Sequence, residues 1–189
     1  LPILAFNTSV YSPAAFRAVP RKRKRQYFYC GRAAPSKNLA ALKEAWVAGA
    51  FGELQLYGPP ELEKYEYSAK VRYRGCYTAR LPFMTGDIVI IPSFREGHSN
   101  VLVEAFLSGA LVLGTAIPGV EEHLAEDRGV LIERPFDALS IARSVGTAIN
   151  MPEDRYQETI DRARAYAQHW FARDTSSIAQ VVAEAIKRK

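Results

Sequence analysis

Two carboxylates eight positions apart, Glu96 and Glu104, and two cations five apart, Arg32 and Lys37, are the residues whose types and spacing could do chemistry. The acids bracket a glycine loop. Residues 87–91 form an apolar run of buried-strand length, Pro92 stops it, Gly97 frees the backbone, and Ser99 or Asn100 can cap a helix. A strand feeding a helix through such a loop suits an anion, because the first helical amides lack intrahelical partners and the dipole places its positive end behind them. Arg32 and Lys37 follow a strand of their own, one offering a planar fork and the other a point charge. Both can point into a crevice beyond that strand's carboxyl end, or stand as surface charges.

Within the helix, Leu102, Ala105, Phe106 and Gly109 recur at helical spacing and predict the face that packs on a sheet. Glu104 lies off that face, over Asn100 and Val101 on the cleft side. Spacing alone leaves two readings open: a pair of carboxylates looking into one crevice, or a helix-start acid plus a solvated helix acid.

The elements that must position these residues alternate. Strands are expected at residues 26–30, 53–57, 70–74 (edge-like), 87–91, 111–114 and 129–132. Helices are expected at 38–48, with Leu39, Leu42, Ala45 and Trp46 inward, and at 100–109, 137–149, 153–170 and 174–187, with Asp137, Asp154 and Asp174 near their starts. Residues 1–6 read as a short strand and 61–67 as a short, charged helix or turn. The fold class that follows is α/β, a Rossmann-like doubly wound parallel sheet with C-terminal helices. Residues 1–25 are expected to be a lead-in with a basic loop and 26–150 the ligand-binding domain. Residues 151–189 would be helices packing on it or reaching toward another domain. The dinucleotide Gly-x-Gly-x-x-Gly fingerprint and the Walker lysine pattern are both absent.

A chain of 189 residues, 48% apolar and 24% charged, can bury one domain with a helical appendage. It contains no run of 18 apolar residues, so no membrane span is expected. Cys30 and Cys76 each adjoin a glycine and read as two buried free thiols in a reducing cytoplasm, with no zinc site. The net charge of +5 is local, since the run Arg21–Arg25 accounts for it. That run reads either as a solvated loop or as a patch for a polyanion or an anionic membrane face; without interleaved aromatics, no nucleic-acid partner is expected.

Glu96-Gly97, Ser99-Asn100-Val101-Leu102, Glu104-Ala105 and Gly109 together resemble the Glu-x7-Glu region of the retaining family-4 glycosyltransferases, which have the two-domain GT-B architecture. The resemblance extends through residues 87–93 and 115–122, where Gly119 and Glu122 match a landmark beside the donor site but Pro118 replaces the first of a usual glycine pair. Gly31-Arg32 with Lys37-Asn38 likewise resembles the family's diphosphate loop, and Gly75-Cys76-Tyr77-Thr78 the segment against the nucleobase.

What the resemblance implies is the donor-binding half of a GT-B enzyme, moving a hexose from UDP- or GDP-sugar to a glycan or lipid-linked acceptor. Gly31, Arg32, Lys37, Gly97, Ser99, Asn100 and Val101 would hold the diphosphate. Glu104 would accept from the ribose hydroxyls, and Cys76 and Tyr77 would meet the base. Glu96, with Arg32 and Lys37 as the other catalytic residues, would hold the transferred sugar's hydroxyls; a nucleophile's role would need it within attacking reach of the anomeric carbon. No metal or other cofactor is implied. The length and the initial Leu suggest a carboxyl-terminal half, inactive in transfer without an amino-terminal acceptor domain, cytoplasmic or peripheral at the inner membrane face. A GT-B-like sugar-nucleotide epimerase and a non-catalytic polyanion-binding domain resting on Arg21–Arg25 are the competing readings.

Overall fold

Three of the apolar runs, residues 27–30, 88–91 and 111–115, carry no polar alternation, the pattern of strands covered on both faces by helices. In a computed structural model, which describes residues 24–67, 69–77, 81–97 and 99–169, they form the centre of a six-stranded sheet. The strands are β1 (Tyr27–Cys30), β2 (Leu54–Tyr57), β3 (Val71–Tyr73), β4 (Ile88–Ile91), β5 (Leu111–Thr115) and β6 (Val130–Ile132). All pairings are parallel, in the order β3-β2-β1-β4-β5-β6, with Tyr27 of β1 level with both Leu54 and Ile88. The doubly wound sheet expected from the sequence is therefore present. Residues 70–74 do supply an edge strand, and 129–132 the opposite edge.

Helices α1 (Leu39–Ala48), α2 (Asn100–Ser108), α3 (Glu121–Leu124) and α4 (Ala138–Ile149) follow β1, β4, β5 and β6, and α5 spans 153–169. Because the chain winds outward from β1 in one direction and from β4 in the other, right-handed crossovers set α1 and α2 on opposite faces. Helix α4 packs beside α1. Leu39, Leu42, Ala45 and Trp46 are buried as their spacing predicts; the Trp46 indole is fully enclosed, donates to Gly52 O at 2.7 Å and meets Tyr27 edge-on at 5.3 Å.

Helix α2 departs from the expected single buried face: every residue from Leu102 to Ser108 is buried, because α5 covers its outer side. Tyr166 of α5 lies edge-on to Phe106 at 6.3 Å, and the Arg164 guanidinium donates to Ser108 O at 3.2 Å and Thr85 Oγ1 at 3.1 Å at the helix's carboxyl end. A cation is favoured there. Below the strands, the Tyr156 hydroxyl donates to Gly86 O and Asp87 O at 3.1 and 3.3 Å.

Of the basic run, the structure describes only Lys24 and Arg25. Arg25 stacks 3.6 Å above the Tyr156 ring and pairs with Glu153, so the last member of the run is spent inside the fold. Lys24 is exposed, while residues 21–23 lie outside the described residues, as do the expected elements at 1–6 and 174–187. Both cysteines are free, but only Cys30 is buried; Cys76 is exposed, in the segment after β3, beyond which no further strand lies among the described residues. Asp137 caps α4 by accepting from Ser140 N at 2.8 Å. Among the described residues no helix is long and apolar enough to cross a membrane.

Candidate functional site

Strand order reverses between β1 and β4, and a parallel sheet opens a crevice at the carboxyl ends of two such strands. The loop after β1 is held from three directions. Gly31 N donates to Tyr57 O at 2.9 Å, the Tyr29 hydroxyl donates to Arg32 O at 2.7 Å, and Phe94 N reaches Ser36 O at 2.8 Å across the crevice. A Cβ at Gly58, the residue after β2, would run into the Gly31 carbonyl oxygen, so the loops after β1 and β2 touch only because glycine is there. The loop then makes a short 3-10 turn over Pro35–Lys37 and turns into α1 through Asn38, in the left-handed region at φ 52°, whose side chain donates to Phe136 O at 2.7 Å.

The loop after β4 is held as firmly. Ser93 is 1% exposed, and its carbonyl accepts from Thr115 Oγ1 at 2.5 Å. Gly119, at φ +83°, passes beneath the loop; a Cβ there would lie 3.0 Å from Gly97 O and 3.1 Å from Glu96 O. That gives the landmark glycine a steric reason. Glu122 is exposed, and its backbone carbonyl accepts from Arg128 at 2.9 Å.

Between the two loops is a cavity of about 360 Å³, lined by Gly31, Arg32, Lys37, Glu96 and the start of α2 at Ser99, Asn100 and Val101. Sequence elements 59 positions apart meet here: Lys37 Nζ lies 2.6 Å from Glu96 Oε1, and the Ser93 hydroxyl donates to that same oxygen at 2.7 Å. Ser99 occupies the N-cap position of α2, one of the two expected, but makes no side-chain capping bond, so it does not engage the first amides of the helix, which begins on the cavity lining. Gly97 is exposed at the rim, and a Cβ on it would meet nothing within 4 Å.

Three other residues expected at the site lie beside this cavity rather than on its lining. The Tyr77 hydroxyl donates to Glu104 Oε2 at 2.7 Å, and its ring stands edge-on to Tyr57 at 6.2 Å. Glu104 is thus buried at 6% exposure, one turn into α2, which excludes the solvated helix acid of the second reading. The Cys76 thiol donates to Gly58 O at 3.1 Å. Sequence reasoning missed Ser93, Tyr29 and Thr115, whose contributions are single hydroxyls; for Ser93 its place directly after Pro92 at a strand end was the available signal.

Two groups on the cavity wall are held neutral. Burial pushes the Tyr29 hydroxyl far above the usual tyrosine range, with Glu96 adding to it, and burial followed by the charge of Glu104 raises the Cys30 thiol. Arg32, Lys37 and the start of α2 therefore share the cavity with these neutral groups and a single carboxylate, Glu96, a donor set that can take a multiply charged anion. A larger cavity of about 670 Å³ opens at the β6 edge, among Glu126, Asp127, Glu133 and Arg155. It holds none of the expected site residues, so the smaller one is the candidate site. Among the described residues no three His, Cys, Asp or Glu side chains group as metal ligands would.

Residues 24–150 match the sequence model of the family described as glycosyl transferases group 1. No curated protein matches the sequence. Among solved structures, sucrose-phosphate synthase from Thermosynechococcus elongatus is similar at 18% identity and a TM-score of 0.70, over 87% of this chain and 46% of that one. Anabaena HepE in complex with UDP-glucose is similar at 20% identity and a TM-score of 0.66, over 87% and 49%. A glycosyltransferase from Rickettsia africae is similar at 16% identity and a TM-score of 0.69, over 88% and 49%. These likenesses concern the fold, and the chain spans about half the length of each of those structures.

Proposed function

The chain belongs to the glycosyl transferases group 1 family, and from that premise we propose that it is the donor-binding domain of a retaining glycosyltransferase, taking a hexose from UDP- or GDP-sugar to a glycan or lipid-linked acceptor. The observation that carries the reading is the convergence of Arg32, Lys37, Glu96 and the start of α2 on one cavity at the point where strand order reverses. HepE, similar in fold, holds UDP-glucose, which favours UDP as the first donor to try.

Chemistry here is chiefly stabilisation of a leaving group. As the bond between the anomeric carbon and the distal phosphate oxygen breaks, negative charge collects on the diphosphate. Arg32, Lys37 and the amides of Asn100 and Val101 neutralise it, with preorganised donors acting in a partly enclosed cavity. Glu96, held by Ser93, accepts from sugar hydroxyls. Glu104 accepts from the ribose, with Tyr77 and Cys76 on the base side. Its setting is the reducing cytoplasm or the inner membrane face. The acceptor binds through a second domain of the GT-B kind.

Calorimetry on the whole chain tests this. UDP or GDP binds, in the presence of a chelator as well as without it, and Arg32→Ala weakens binding by about 1.5 to 3 kcal/mol, the range for hydrogen bonds to charged groups. Failure of both nucleotides to bind, or an Arg32→Ala variant that binds like the parent, refutes the assignment.

A further inference from the structure

Lys37 and Glu96 are each assigned above to a different part of one ligand, yet in the structure they hold each other at 2.6 Å. Their side chains are only 17% and 10% exposed, so solvent screens the pair weakly and each charge depends on the other for compensation. The two differ in what holds them. Lys37 ends a 3-10 turn on a flexible four-carbon stem and can swing toward a phosphate. Glu96 is fixed: the buried Ser93 hydroxyl grips Oε1 at 2.7 Å, Thr115 pins the Ser93 carbonyl, and Gly119 closes beneath the loop.

A diphosphate that draws Lys37 away therefore leaves the Glu96 carboxylate behind without its cation. We infer that the Lys37–Glu96 pair makes the site select nucleoside diphosphates carrying a hydroxyl-rich group beyond the second phosphate over bare ones, with Ser93 as the positioning residue that keeps Glu96 in place. An intact donor brings hydroxyls that donate to the abandoned carboxylate. The spent nucleotide brings none, so Lys37 returns to Glu96 and the nucleotide is released. This rests on the donor-site reading above.

The test compares UDP with UDP-glucose, and GDP with GDP-mannose, by calorimetry on the whole chain and its variants. Glu96→Gln releases Lys37 and tightens the bare nucleotide about tenfold, the equivalent of about 1.4 kcal/mol, while the sugar nucleotide gains less, so their affinity ratio falls. In a Lys37→Met background the same Glu96→Gln change moves bare-nucleotide affinity less than about twofold, because the effect passes through the lysine and not through general repulsion. Ser93→Ala, a small change that keeps the fold, lets Glu96 follow Lys37 and lowers the ratio in the same direction. Bare-nucleotide affinity that is unchanged or weaker in Glu96→Gln overturns the inference, as does an equal gain for the sugar nucleotide or a gain that persists without Lys37. Arg32 stands outside the pair and separates the two ideas: a parent that binds UDP or GDP and loses it with Arg32→Ala keeps the donor site even when the selection fails. A parent that binds no nucleotide ends both.

Discussion

Tyr77 and Glu104 show how a side chain's partner can change what its type suggests. Glu104 accepts from the Tyr77 hydroxyl at 2.7 Å, which holds one carboxylate oxygen in place on the ribose side of the proposed site. We expect Glu104→Gln to weaken UDP and UDP-glucose equally, by about 1 kcal/mol or more, since ribose is common to both. Tyr77→Phe gives a smaller loss, again the same for both; a loss confined to the sugar nucleotide contradicts the ribose role. Gly119→Ala carries a different cost. At φ +83° a Cβ is strained by about 1 to 2 kcal/mol before it crowds Glu96 O and Gly97 O. Chemical denaturation should register that loss, and UDP-glucose affinity should fall more than UDP affinity as Glu96 shifts. At this scale residue type was legible and contact was not. Arg32, Lys37, Glu96 and the helix start line one cavity, one of the two arrangements their spacing left open, but no local pattern reveals that Lys37 and Glu96 touch across 59 positions.

Among the described residues the six strands were legible almost to their ends, because apolar runs bounded by glycine and proline leave little choice of strand. What escaped was the packing of α5, which depends on single residues meeting other elements. Arg25 on Tyr156 and Arg164 over the end of α2 are pairings between segments far apart in sequence, invisible to periodicity. Another such contact sets a pH response. His123 of α3 is buried with Nδ1 3.0 Å from the Tyr166 hydroxyl of α5, and Arg128 lies 4.1 Å above the Tyr166 ring. Burial lowers the histidine's pKa, Arg128 adds to the lowering, and Glu122 opposes it. Histidine in the unfolded chain titrates near 6.5. The unfolded state therefore binds the extra proton first, so this contribution to stability is complete above about pH 6.5 and is lost as pH falls toward the depressed folded value. Thermal melts from pH 7.5 to 5 should show the decline, and His123→Gln should flatten it. A slope unchanged in that variant would assign the decline to other groups.

For the molecule as a whole, alternation of strands and helices made the doubly wound sheet legible, while the strand order that creates the crevice is a property of the assembled sheet. Binding and transfer separate at this scale. Holding acceptor and donor in line can supply about 7 to 11 kcal/mol of a barrier, and the related structures are about twice as long as this chain. We expect the chain to bind donor and, alone, to transfer no sugar; a labelled-donor assay with acceptor extract checks this, and robust transfer by the chain alone refutes it. Such assays need a fold control that ligand does not disturb, and Trp46 supplies one. It packs against Tyr27 at the start of β1, while the cavity opens at Cys30 and beyond, so the indole is both dry and remote from bound nucleotide. The sequence has two tryptophans. With Trp170→Phe as background, Trp46 emission should be blue-shifted, stay constant through a nucleotide titration and move to the red only on unfolding, so that one cuvette reports intactness by its light while calorimetry reports occupancy by its heat.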